Sequence, residues 1–213
     1  AFVRCVGLGP QFRMVNYDPG APLHDRYRMD HDFLPEDQAR QLRDMTMVIN
    51  AFFGWDFNSC EGLRQEGVWY PIDFANACPD SQVTSLHYHF PWLIMANLRW
   101  SIFCAATDRS MKTNLNWQSY FSIADQDIAF EEKMAAYVEL AREHFSVDEF
   151  ESFCAKHLPQ LDEVADEFFA SDTVHRAIRE KVSALYPENE IESFVELFWN
   201  RVQKWRQVEG SGS

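Results

Sequence analysis

No Cys-x-x-Cys pair occurs in this 213-residue sequence; its five cysteines, Cys5, Cys60, Cys78, Cys104 and Cys154, stand singly. An odd, scattered set argues against a disulfide framework and a structural zinc site, and it points to a reducing, cytoplasmic setting. Positive charge is scarce. Lys plus Arg total 19 against 33 Asp plus Glu, a formal net charge of -14, which disfavours general attraction to nucleic acid or to an anionic membrane. No lysine precedes Lys112, and the imbalance deepens along the chain, from 9 basic against 13 acidic side chains over 1–110 to 10 against 20 over 111–213. Long apolar runs are missing too. The longest, 90–106, is broken by Asn97 and Arg99, so it predicts a buried helix and not a membrane span. No signal peptide is visible. The sequence opens at Ala1 without a methionine and closes on Gly210-Ser211-Gly212-Ser213. Residues 209–213 are accordingly expected to be a linker or tag remnant, on a piece cut from something longer.

What the chain does have is apolar and aromatic mass, 46% hydrophobic and 15% aromatic residues, including 18 Phe and 7 Trp. That suits a soluble globular fold with a real core. Residues 2–18 predict a β-hairpin turning at Gly9-Pro10, and 19–33 predict a loop. A helix is expected to open at Pro35, with Glu36 and Asp37 at its positive end; Leu42, Met45, Ile49 and Phe52 recur at helical spacing, and Gly54 stops it. A second hairpin follows, 57–64 and 68–74 around Glu66-Gly67, and Pro71 assigns its return strand to a sheet edge. From Pro91 the pattern is helical. Leu93, Ala96, Trp100 and Phe103 form one stripe, and Phe130, Met134, Tyr137 and Ala141 the next. Ser146 with Glu149 reads as a capping box opening a third helix. Val174, Ile178, Val182 and Leu185 mark another, and Ile191, Phe194, Phe198, Val202 and Trp205 the last. The fold class expected is α+β: antiparallel hairpins with a packed helix, then an all-helical tail.

The second hairpin carries the residues with chemistry. If its turn is centred on Gly67, Glu61 and Asp73 lie opposite one another on one face, with Asn76 nearby. A two-residue turn would place the pair on opposite faces. Two carboxylates a few ångströms apart repel unless a cation sits between them. With an amide oxygen added, they suit Mg²⁺ that is also held by phosphates. The alternative is a pair of solvated strand carboxylates.

The stretch Asn58-Ser59-Cys60-Glu61, followed by 67–80 (Gly-Val-Trp-Tyr-Pro-Ile-Asp-Phe-Ala-Asn-Ala-Cys-Pro-Asp), resembles the C-terminal metal-binding hairpin of ATP-grasp ligases. The opening Val3-Arg4-Cys5-Val6-Gly7-Leu8-Gly9 resembles the strand with which that family places an Arg near the transferring phosphate. The order hairpin, helix, hairpin agrees as well, so the resemblance covers roughly residues 2–80. It implies that Glu61, Asp73 and Asn76 bind the Mg²⁺ of ATP, that Arg4 contacts phosphate or substrate, and that Arg13 serves the same anionic region. Two departures stand out. The family usually has Glu as its second acid with Asn two residues later, whereas here Asn76 follows Asp73 by three, a difference that a bulge would absorb. The lysines, glycine-rich phosphate loop and adenine hinge of the family have no counterpart here.

On that resemblance, residues 1–86 would be the C-terminal part of a catalytic domain and 87–208 a helical extension. The implied reaction is attack of a substrate carboxylate on ATP, giving an acyl phosphate that an amine or thiol displaces. Removing Glu61 or Asp73 is then expected to abolish turnover and leave the fold intact. A second chain or an oligomer would complete the nucleotide site. The competing expectation is a non-catalytic interaction module that has lost nucleotide binding. Among other candidates, His87-Tyr88-His89 reads as a possible metal or substrate segment or, more simply, as packed rings. Asp30-His31-Asp32 reads as solvated, 24–27 as a lid or substrate loop, and Cys78 as a small packing residue.

Overall fold

The computed structural model describes residues 2–30, 33–111 and 114–210. Strands β1 (Phe2–Leu8), β2 (Gln11–Asn16), β3 (Phe57–Gln65) and β4 (Val68–Ala77) form one antiparallel sheet in the order β2-β1-β3-β4. The fold is α+β. Pro71 does sit in an edge strand, where its missing N–H leaves no ladder bond unmade.

Helix α1 (Glu36–Phe53) starts after Pro35 and ends at Gly54, whose left-handed φ of 69° lets its N–H cap the Ala51 and Asn50 carbonyls. It lies on one face of the sheet. Gly62 gives room to Leu42, Asn58 donates to Asn50 Oδ1 (2.7 Å), and Trp69 joins Val3 and Leu42 in a small cluster.

After the short helix α2 (Val83–Leu86) and a 3-10 turn at His87–His89, α3 (Phe90–Ala106) buries the expected stripe Leu93, Ala96, Trp100 and Phe103. Helices α4 (Trp117–Ala124), α5 (Phe130–Phe145), α6 (Val147–His157), α7 (Leu161–Phe169), α8 (Asp172–Ser183) and α9 (Ile191–Glu209) complete the tail. One continuous core takes in Leu8 and Val15 of the first hairpin, Met47 and Ala51 of α1, the α3 stripe, Phe145 and Phe150. A second joins Tyr88 and Met95 to Phe169, Ile178, Phe198, Val202 and Trp205, and Phe90 packs against both. The aromatic stripe of α9 is therefore a helix–helix seam.

Three expectations of detail change. Ser146 takes φ 51° as it leaves α5, and its side chain caps nothing; its hydroxyl instead accepts from Arg109 (3.1 Å), so the capping box is not made. Phe130 and Leu185, expected on buried stripes, are exposed, because each lies at or beyond a helix end. Helices α4 and α7 are additional.

Candidate functional site

The two hairpin strands β3 and β4 are joined by the two-residue turn Glu66-Gly67, with φ 51° and 86°, the left-handed pair that matches strand twist and that Gly accepts at no cost. Pairing runs regularly from Gln65–Val68 to Gly62–Pro71. Continued unbroken, it would set Glu61 against Ile72 and turn Asp73 toward α1. A register shift intervenes, and Glu61 pairs with Asp73; a second shift sets Asn76 against Ser59. A turn centred on Gly67 alone is thus corrected to a shorter turn plus two bulges, which restore the same pairing. Side chains alternate across a strand, and each bulge resets the count. Glu61, Asp73, Asn76 and Ser59 therefore share the face turned away from α1.

Arg4 is the β1 partner of Glu61, and its guanidinium forms an ion pair with that carboxylate, both side chains being only 12% exposed. Nη1 donates to the Tyr27 phenol oxygen at 2.5 Å, and the guanidinium lies 4.2 Å from the Tyr17 ring centroid. Burial pushes the Tyr27 phenol up, with Arg4 opposing. The carboxylate expected to hold a metal already holds a cation. Asp73 is exposed. Asn76 donates through Nδ2 to Ser59 Oγ (3.0 Å), and its backbone N–H donates to Asn58 Oδ1 (3.0 Å), which fixes the bulge and leaves the amide oxygen as the ligand atom. Among the described residues no group of three His, Cys, Asp or Glu side chains could hold a metal ion. Two carboxylates and an amide are an incomplete shell, of the kind Mg²⁺ fills with phosphate and water oxygens.

Arg13 is placed elsewhere. It makes two bonds to Glu209 of α9 (2.6 and 2.7 Å) and donates from Nε to His89 Nδ1 (3.1 Å), so it ties β2 to the tail. His89 Nε2 faces the Arg28 carbonyl at 2.7 Å; a carbonyl only accepts, which makes Nε2 the protonated nitrogen of a neutral ring. His87 and His89 are both buried, in agreement with packed rings. The 24–27 segment is gripped by Arg201 of α9. Asp30 accepts from Asn16 (2.7 Å), and His31 and Asp32 lie outside the described residues. Cys78 is exposed with φ 64°, so it is not a packing residue. Behind the site Cys5 and Cys60 are buried register partners, and burial pushes both thiols up, Cys60 to about 11, which makes them poor nucleophiles. An open groove of about 450 Å³ between α5 and α6, lined by residues such as Glu139, Arg142 and Asp148, includes none of the candidate residues.

No protein-family model, curated protein or solved structure matches the chain. What the site can do follows from its own groups. It offers an exposed carboxylate, a second carboxylate shared with an arginine, and an amide oxygen, all on the sheet face turned away from α1. Sequence reasoning missed Tyr17 and Arg201, and it named Tyr27 only as part of a lid or substrate loop. The two tyrosines meet through an isolated bridge in a segment with no periodicity, and Arg201 lies on the far side of the chain, so no local signal marks any of them.

His87 yields a pH prediction. Burial, aided by Arg201, His89 and His24, lowers its pKa from 6.5 to about 2. The folded chain keeps the ring neutral while the unfolded chain protonates it, so this stability is complete above about 6.5 and is lost as pH falls from there toward 2. Urea midpoints measured over descending pH should fall, and less steeply in His87→Asn, whose side chain does not titrate. Equal slopes would show that His87 is not the group responsible.

Proposed function

We propose that the chain is the C-terminal part of an ATP-grasp-type ligase, joining a carboxylate to an amine or thiol through an acyl phosphate. The observation that carries this reading is the pair of bulges that brings Glu61, Asp73 and Asn76 to one face beside Arg4. A hairpin needs no bulges to be stable; here they serve to align the oxygen ligands. Mg²⁺-ATP, when bound, would supply the activated phosphoryl group, with Glu61, Asp73 and Asn76 as its protein ligands. Arg4 would exchange its carboxylate partner for a phosphate oxygen, an acceptor of equal charge assistance. A reducing, cytoplasmic setting fits the five free cysteines, and a second chain or oligomer would provide the remaining nucleotide contacts.

Asp73→Asn is the clean test, because Asp73 is exposed and in no ion pair among the described residues. Calorimetric titration of the intact chain with Mg²⁺-ATP should show binding that this variant weakens on the order of tenfold or more, as expected for loss of a charge-assisted contact. Equal binding in the two proteins would overturn the proposal, and no binding by a folded wild-type chain would favour the interaction module as the reading of this chain alone. A non-catalytic interaction module is the second reading. It is favoured by one observation: both arginines expected to meet phosphate are already paired within the chain.

A further inference from the structure

Helix α9 reaches beyond its own core to the hairpin layer at two points. Its end clamps Arg13 through Glu209, while near its middle Arg201 donates to the His24 carbonyl and to Asp25 Oδ1 (2.6 Å). The Arg201 side chain is 13% exposed, and its hydrogen bond holds the Asp25 carboxyl below the usual range. The segment it grips is a closed loop. At its base the Asp18 N–H donates to the Arg26 carbonyl and the Arg28 N–H to the Asn16 carbonyl, both at 2.9 Å, and an Asp18–Arg28 ion pair (2.6 Å) spans the same two strands of chain. Between these base contacts, two residues from Asp25, stands Tyr27, bridged to Tyr17. Its ring is buried against Tyr17 (5.2 Å between centroids), and its oxygen receives the Arg4 hydrogen bond. A path therefore runs from Arg201 to Asp25 by direct contact, through Arg26 along the backbone to Tyr27, and again by direct contact to Arg4 and Glu61.

We infer that Arg201 is a positioning residue: by fastening the 18–28 loop to α9 it holds Tyr27 against the Arg4 guanidinium and so sets where Arg4 stands beside Glu61. The inference rests on the ligase reading only for the use to which Arg4 is put. It gives the helical tail a role at the site without any tail residue touching the ligand. Two features favour a brace over incidental packing. The contact uses two donors of one guanidinium on two different acceptors, which fixes orientation as well as distance. The tip itself, the 3-10 turn Leu23–Asp25, has no buried residue, and it is held to the same helix a second time by the His24 ring against Phe194 (5.2 Å between centroids).

The experiment uses the intact chain with Arg201→Gln, Arg201→Lys and Asp25→Asn, read by hydrogen exchange and by ultraviolet titration of Tyr27 with Tyr27→Phe as the subtracted blank. Loss of a charge-assisted pair should speed exchange within 18–28 on the order of tenfold in Arg201→Gln and Asp25→Asn, with the α8–α9 core unchanged. Tyr27, released from burial, should titrate closer to the ordinary tyrosine value, and Arg201→Lys should restore part of both changes. Unchanged exchange in 18–28, or a faster loop with an unmoved Tyr27, would overturn the inference. So would Arg201→Lys behaving as Arg201→Gln while α9 itself loosens, the signature of a merely structural residue. Asp25→Asn keeps the test open if α9 variants fold poorly, because it breaks the pair from an exposed loop. Failure of the wild-type chain to bind Mg²⁺-ATP would count against the ligase reading alone, since neither readout here depends on nucleotide.

Discussion

Glu61→Ala is expected to destabilise the chain by about 3–5 kcal/mol, because it strands a largely buried arginine without its counter-charge. Arg4 has the Tyr27 oxygen and the Tyr17 ring as further neighbours, but neither carries a negative charge at neutral pH. The urea midpoint should drop with little change in slope. Two companion variants identify the cause. Asp73→Ala, an exposed change, should stay within about 0.5 kcal/mol of wild type. Arg4→Met combined with Glu61→Leu should recover most of the loss, since an apolar pair removes the stranded charge. A Glu61→Ala chain as stable as wild type would mean that the ion pair contributes nothing in solution. The outcome also matters for reading activity. Both carboxylates were expected to be removable with the fold intact; the structure restricts that expectation to Asp73, and a loss of turnover in Glu61→Ala would mix a missing ligand with a weakened fold.

Phe103→Ala should cost a similar amount, about 3–5 kcal/mol, through lost burial and the cavity left behind. Its ring is 1% exposed and lies 5.4–5.6 Å from the rings of Trp100, Phe150 and Phe153. This core also contains Leu8, Val15 and Met47, so the loss should be felt by the sheet as well as by the tail. Far-ultraviolet dichroism and tryptophan fluorescence should report one coincident transition, moved to lower denaturant in the variant. Two separated transitions, with only the helical one displaced, would show that the hairpin layer and the tail unfold as independent units.

Local chemistry made the elements legible. Gly54 closes α1, Glu66-Gly67 turns the second hairpin, and the α3 stripe and Phe198, Val202 and Trp205 of α9 occupy the buried positions their spacing implied. Helices α4 and α7 were missed because eight or nine residues span barely two turns, too few for a period to emerge from the noise of single side chains. Within the site, the residue types on the hairpin could be read, and so could the need for a bulge before Asn76. The bulge before Asp73 could not, since it depends on the turn being one residue shorter than assumed. The ion pairs were the least accessible feature. Arg13 meets Glu209 across 196 residues of sequence and Arg201 meets Asp25 across 176, and only the three-dimensional packing of α9 on the first hairpin brings them together.

The bulged hairpin has an evolutionary corollary. Because each bulge changes which side of the sheet subsequent residues face, β4 behaves like a message with two frame shifts. Val68 and Tyr70 are read in one frame, Asp73 in the next and Asn76 in the third. Closing the first bulge by slipping β4 one residue along β3 would restore ideal pairing and improve the ladder, yet it would turn Asp73 inward against α1. Selection for a regular sheet and selection for ligands on the face turned away from α1 therefore pull in opposite directions here.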